Sequence, residues 1–204
     1  MHKALRQWAM GPIQGEIAKV VPEYLRRHGS FDAAAHCASV AAVSWWLAGE
    51  IEVKVSQQDA ETAGWLHDVS AVIPVPARLP TAEAMGMAIM PAERKAPMLL
   101  HQRLSAVIAR EVFGVADDGI LNAVRCHTTL RAGATALDKV VFLADKISWD
   151  QEGDPPYLVT LKEELAEDGL DAAVRVYLRF LWDRRDGMPA IHPWLEAAYK
   201  DMMD

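Results

Sequence analysis

Cysteine is scarce: Cys37 and Cys126 are the only two in 204 residues, and no C-x-x-C pair occurs. That excludes a disulfide framework, and both read as small buried apolar side chains. Without disulfides, a reducing cytoplasm is the expected location. No uninterrupted apolar run approaches the ~20 residues that a membrane helix needs, so no membrane partner is expected. Residues 1–15 lack the apolar core and small-residue cleavage site of a secretory signal. Basic residues are in deficit, with 21 Lys and Arg against 28 Asp and Glu, a net charge of −7. This balance argues against long nucleic acids, whose phosphates call for a basic surface. A small phosphorylated ligand stays open, because bound metal ions supply local positive charge. Strand signals are missing too: no alternating run stands out, and Asp118-Gly119 leads into a helical pattern rather than a hairpin.

What the chain does have is helical periodicity in a composition typical of globular proteins, 51% hydrophobic and 24% charged. Ser30 can cap a helix to about Gly49, on which His36, Val40, Val43 and Leu47 share the buried face. Ser56 and Asp59 form an S-x-x-D start for a helix carrying Ala60, Ala63 and His67 on one face. Three prolines between Val69 and Pro80 read as a loop, followed by a short helix from Thr81 to Met87. Pro91 and Pro97 frame another loop before a helix from about Met98 to Val112 that carries His101. A helix from about Asp118 aligns Ile120, Val124 and His127, and Thr135 with Asp138 starts one running to about Ser148. Gly153 to Pro156 breaks the chain before helices expected over 157–168, over 170–186 and after Trp194. The expected architecture is all-α: a helical domain over residues 1–150, with C-terminal helices over 151–204 packed on it as one structural unit.

Histidine and aspartate carry the chemistry. His36, His67-Asp68, His101, His127 and Asp145 form an ordered series on separate expected helices. Imidazole and carboxylate donors suit iron, manganese, cobalt, nickel or zinc, and a histidine-rich set argues against magnesium. Adjacent residues on a regular helix point about 100° apart, so His67 and Asp68 converge only if the helix ends there. Asp145 follows the apolar run Val140-Val141-Phe142-Leu143-Ala144, where a buried carboxylate must be paired, capped or metal-bound. His2, His28 and His192 lack such context and read as structural or solvated.

Two stretches are similar to a known family. AGWLHDVSAVIP, from Ala63 to Pro74, has the His-Asp form of the HD superfamily of metal-dependent phosphohydrolases. LNAVRCHTTLRAGATALDKVVFLADKI, from Leu121 to Ile147, resembles the bacterial HD proteins that cleave dinucleoside tetraphosphates symmetrically. The resemblance covers roughly residues 20–160. It implies an HD-domain helical bundle and hydrolysis of diadenosine tetraphosphate to two ADP. It also implies that His36, His67, Asp68 and Asp145 hold the principal metal, iron. His101 and His127 then hold a second ion or the substrate phosphate, so that one or two ions are expected. Ala33 and Ala71 stand where family members often carry arginine and lysine, which suits a divergent branch with another nucleotide substrate.

The expected mechanism is attack on phosphorus by a metal-activated water, with His67 and Asp68 at the catalytic centre. Arg131 and Lys146 are the expected neutralisers of phosphate charge, and Thr128 the hydroxyl donor. Trp149 and Tyr157 are candidates to stack on a base, although tryptophans in helical proteins are usually core. Rival readings are an HD-type phosphatase of mononucleotides and a non-catalytic nucleotide-binding module. A homodimer is compatible with the sequence.

Overall fold

Turn-forming and capping residues divide the chain into eleven α-helices and four short 3-10 turns among the described residues, with no strand among them. The computed structural model describes residues 1–9, 11–50, 54–149 and 152–204. The expected boundary at residues 150 and 151 therefore lies outside the described residues.

The helices are α1 (Ile17–Arg27), α2 (Phe31–Glu50), α3 (Gln57–Leu66), α4 (Val75–Ala84) and α5 (Pro91–Lys95), then α6 (His101–Glu111), α7 (Asp118–Cys126) and α8 (Ala136–Ile147). The C-terminal segment adds α9 (Leu158–Glu167), α10 (Gly169–Asp183) and α11 (Pro193–Met203). The all-α expectation holds. No helix among the described residues is long and apolar enough to cross a membrane.

Capping places the starts. Ser56 accepts from the Asp59 N–H before α3, and Asp117 from the Ile120 N–H before α7. Thr135 and Asp138 complete a reciprocal capping box before α8.

Two stretches depart from expectation. The segment from Val69 to Pro80 is not a loop: a 3-10 turn covers Val69–Val72, and α4 begins at Val75. Pro74 stands at the cap and Pro76 in the first turn, where a missing N–H costs no helical bond, so these prolines start a helix rather than prevent one. Between Pro91 and Pro97 lies α5 rather than a loop, and a 3-10 turn over Pro97–Leu100 leads into α6.

Two apolar clusters form the interior. One gathers Leu25, Leu66, Ile73, Leu104, Ile108 and Val124, from α1, α3, α6, α7 and the turn after α3. The other gathers Val40, Leu47, Phe142, Leu143, Leu161, Val174 and Leu178, from α2, α8, α9 and α10. Helix α2 packs on α3 at a site that needs glycine: a Cβ on Gly64 would lie 2.7 Å from Ala41 Cα. That close approach brings the α2 and α3 histidines together.

Candidate metal centre

His67 is the C-cap of α3, and Asp68 leaves helical geometry at φ −121°. The helix ends between the two side chains, so both turn toward the same place. His36 comes from the middle of α2, His101 opens α6, His127 caps the end of α7, and Asp145 lies in the last turn of α8. Five helices thus converge, and the six side chains singled out in the sequence meet.

The imidazoles form a chain. Ring centroids are 5.0 Å apart for His36 and His67, 4.8 Å for His67 and His127, and 4.9 Å for His127 and His101. Asp145 Oδ1 lies 3.0 Å from His36 Nε2 and 3.8 Å from His67 Nε2. Asp68 Oδ1 lies 3.9 Å from His101 Nε2. The donors fall into two triads, His36–His67–Asp145 and Asp68–His101–His127, and within each the ligand-type atoms lie within 4.8 Å of one another.

Three of the rings are oriented alike. Nδ1 of His67, His101 and His127 donates to the carbonyl three residues earlier, that of Gly64, Met98 and Val124, at 2.6–2.8 Å. A carbonyl only accepts, so Nδ1 carries the proton and a neutral ring presents its Nε2 lone pair to the centre. His101 Nε2 and His127 Nε2 face each other at 3.0 Å. Two lone pairs so placed repel unless a cation or a proton stands between them. His67 Nε2 and Asp68 Oδ1 are buried without a hydrogen-bond partner. Orphaned buried acceptors of this kind fit a divalent metal.

Protonation agrees. Burial lowers the pKa of His67 from 6.5 and that of His127 well below it, so both are neutral near pH 7. Burial alone pushes Asp68 up, but His101, His67 and His127 outweigh it and hold the carboxyl at about 2. Asp145 is also raised by burial, yet Lys146, His36 and His67 hold it well below the usual range. Neutral imidazoles and ionised carboxylates are the forms that bind metal.

Around the donors lie the expected phosphate contacts. Thr128 Oγ1 is 2.8 Å from His101 Nε2, and Gln102 fixes its turn by accepting from the Thr128 and Thr129 N–H groups. Lys146 pairs with Asp145 Oδ2, and its Nζ lies 5.4 Å from the Phe142 ring centroid and 5.5 Å from that of Tyr177. Arg131 is committed elsewhere: Nε and Nη2 donate to buried Asp138 Oδ2 at 3.0 and 2.7 Å, tying the loop to the capping box of α8. Trp149 is exposed and meets the buried Tyr157 edge-on.

Sequence reasoning missed Arg78. It sits on α4, in the stretch read as a loop, and donates to Ile73 O and to Met98 O, the carbonyl that also accepts from His101. Its charge is felt at Asp68. Arg78 is the only charged residue between Val69 and Pro80, a signal available in the sequence. Of the histidines set aside, His192 caps α11 and His28 donates from Nδ1 to Tyr24 O.

Residues 33–150, more than half of the chain, match the HD domain family. An uncharacterized protein in the pepC 5' region of Lactococcus lactis subsp. cremoris is 41% identical over 153 residues, 75% of this chain and 77% of that protein. The symmetrical bis(5'-nucleosyl)-tetraphosphatase of Bacillus subtilis is 43% identical over 51 residues, 25% of this chain and 27% of that protein. The crystal structure of a predicted HD superfamily hydrolase involved in NAD metabolism, from Clostridium acetobutylicum, superposes with a TM-score of 0.80. It covers 95% of this chain and 98% of that one at 22% identity, a likeness of fold. Fold and centre together define a metal-dependent hydrolase. The chain belongs to the HD domain family.

Proposed function

We propose that the chain hydrolyses nucleotide polyphosphates, with symmetrical cleavage of diadenosine tetraphosphate to two ADP as the leading reaction. The observation that carries this reading is the pair of donor triads joined through the adjacent His67 and Asp68. The Bacillus subtilis relative, a symmetrical tetraphosphatase by name, supports the substrate class.

In this reading His36, His67 and Asp145 hold the principal ion, with Asp68 bordering it, and iron is the leading candidate. Asp68, His101 and His127 hold a second ion or the substrate phosphate. A bound divalent metal supplies Lewis acidity, making a water nucleophilic near neutral pH and polarising a phosphoryl oxygen. The protein's own groups supply the rest. The carbonyls of Gly64, Met98 and Val124 keep three imidazoles aimed inward. Lys146 offers an ammonium at the edge of the centre, and Thr128 a hydroxyl, to the phosphate being attacked. Arg78 adds positive charge on the side of Asp68, where Ala71 supplies none. Arg131 serves the site by holding its loop, and reaches phosphate only by loosening its bond to Asp138.

The test is incubation of metal-loaded protein with diadenosine tetraphosphate and chromatographic separation of the products. ADP as sole product supports the proposal. AMP with ATP, or no turnover with metal present by elemental analysis, removes the symmetrical tetraphosphatase reading and directs the search to mononucleotides.

A further inference from the structure

Lys146 is a buried cation with an unusual surrounding. Its ammonium pairs with the carboxylate of the preceding residue, Asp145. The other side of the ammonium faces rings rather than water. Nζ lies 5.4 Å from the centroid of Phe142, one helical turn earlier on α8, and 5.5 Å from that of Tyr177 on α10. Both distances are within the reach of a cation–π contact. Tyr177 is itself held from two sides, standing edge-on to Phe142 at 5.5 Å and to Tyr157 at 4.7 Å. Tyr157 in turn donates its hydroxyl to the Lys146 carbonyl at 3.2 Å. The C-terminal segment therefore grips Lys146 at both ends, by its backbone carbonyl and by its ammonium.

A lysine carries four rotatable side-chain bonds, and a free one spends its time spread over many rotamers. A ring face under the ammonium removes that freedom without neutralising the charge. Asp145 holds the ammonium from one side through Oδ2, and the two rings confine it from the other.

We propose that Tyr177, which lies outside the matched segment of residues 33–150, is a positioning residue that seats the Lys146 ammonium beside the metal centre and so sets the affinity for the substrate phosphate. The proposal rests on the phosphate role given to Lys146 above. It makes the C-terminal helices part of the site rather than a support beneath it.

The experiment is calorimetric titration of inorganic phosphate into manganese-loaded protein, with metal content measured on every sample. Lys146→Met is expected to weaken phosphate binding. Tyr177→Leu is expected to weaken it by roughly 3- to 10-fold at unchanged metal content, the range of a partly desolvated cation–π contact. Tyr177→Phe keeps the ring face and is expected to restore the affinity that leucine loses. In the double variant, Tyr177→Leu should add no further loss to Lys146→Met, which is the signature of action through that lysine. If the leucine variant does not fold, Tyr177→Met fills the gap with a flexible chain that has no ring face. Additive losses, loss of metal, or unaltered affinity in the folded Tyr177 variant would overturn the seat while leaving the Lys146 reading intact. Unaltered affinity in Lys146→Met would overturn both.

Discussion

At the scale of single residues, the centre is built by a repeated local device. A histidine at the end of a helix, or at the start of one that follows a 3-10 turn, donates Nδ1–H to the carbonyl three residues back. The backbone thereby chooses the tautomer, and Nε2 is left for the centre. Removing one such ring, or the carboxylate beside it, takes away a candidate ligand without touching the apolar clusters. His67→Ala and Asp68→Ala are each expected to abolish metal retention and hydrolysis while the far-ultraviolet helical signal persists. Metal content and turnover measured together decide it, and a variant with full activity removes the site assignment.

The same burial gives the metal-free protein a pH dependence. His67 and His127 take up protons near pH 6.5 in the unfolded chain and only at lower pH in the folded one. Below 6.5 the unfolded state binds more protons, so stability declines as pH falls through that value and the decline ends below the folded pKa values. Asp68 and Asp145, held below their ordinary 3.8, act in the same direction but in a lower window. The melting temperature of metal-free protein should be lower at about pH 5.5 than at about pH 7.5. A flat profile across that interval would contradict neutral buried imidazoles.

At the scale of elements, what was legible followed from local chemistry. The S-x-x-D and T-x-x-D starts of α3 and α8 are backbone–side-chain bonds within four residues, and they stand where the sequence puts them. The end of α3 between His67 and Asp68 was inferred from the need for convergence, and the backbone supplies it. Prolines misled: Pro74 and Pro76 start α4, because a first-turn proline forfeits no bond, and periodicity alone does not reveal this. Helix α1 was not foreseen, and its Pro22 is one reason it does not announce itself. Arg78 went unassigned for the same cause as α4. Nothing in residue spacing reveals that Tyr177 on α10 meets Lys146 on α8, since that contact exists only once the helices pack.

Helix packing also carries a prediction. Gly64 lets α3 approach α2, and its carbonyl receives the His67 Nδ1 proton. Gly64→Ala forces a methyl against the Ala41 backbone, an overpacking expected to cost about 1–3 kcal/mol. The displacement should also turn His67 and lower metal retention. Urea unfolding and elemental analysis measure the two effects, and wild-type values in both would mean that the helices separate without strain.

At the scale of the whole molecule, a buried ionic junction joins the C-terminal helix to the middle of the chain. Glu93 on α5 is fully buried and accepts from Arg103 on α6 at 2.7–2.8 Å. His192, the cap of α11, places Nε2 3.6 Å from the same carboxylate. The junction thus ties the C-terminal helix to the helix that opens with His101. Burial pushes the Glu93 carboxyl up, but His192, Arg103 and the Met90 N–H outweigh it and lower its pKa below 4.5. Its contribution to stability is full above 4.5 and is lost as pH falls through the lower folded value. Arg103→Met strips the charged fork and leaves the buried carboxylate with only the Met90 N–H and His192, a loss of up to about 3–5 kcal/mol near neutral pH. Without the arginine, burial weighs more heavily on the carboxylate, the carboxyl titrates higher, and protonation relieves the penalty. The variant's deficit should therefore shrink toward about pH 4, where wild type begins to lose the same interaction. Denaturant unfolding of both proteins at the two pH values gives the comparison. Equal deficits at both would mean that Arg103 acts by packing its stem, not by its charge on Glu93.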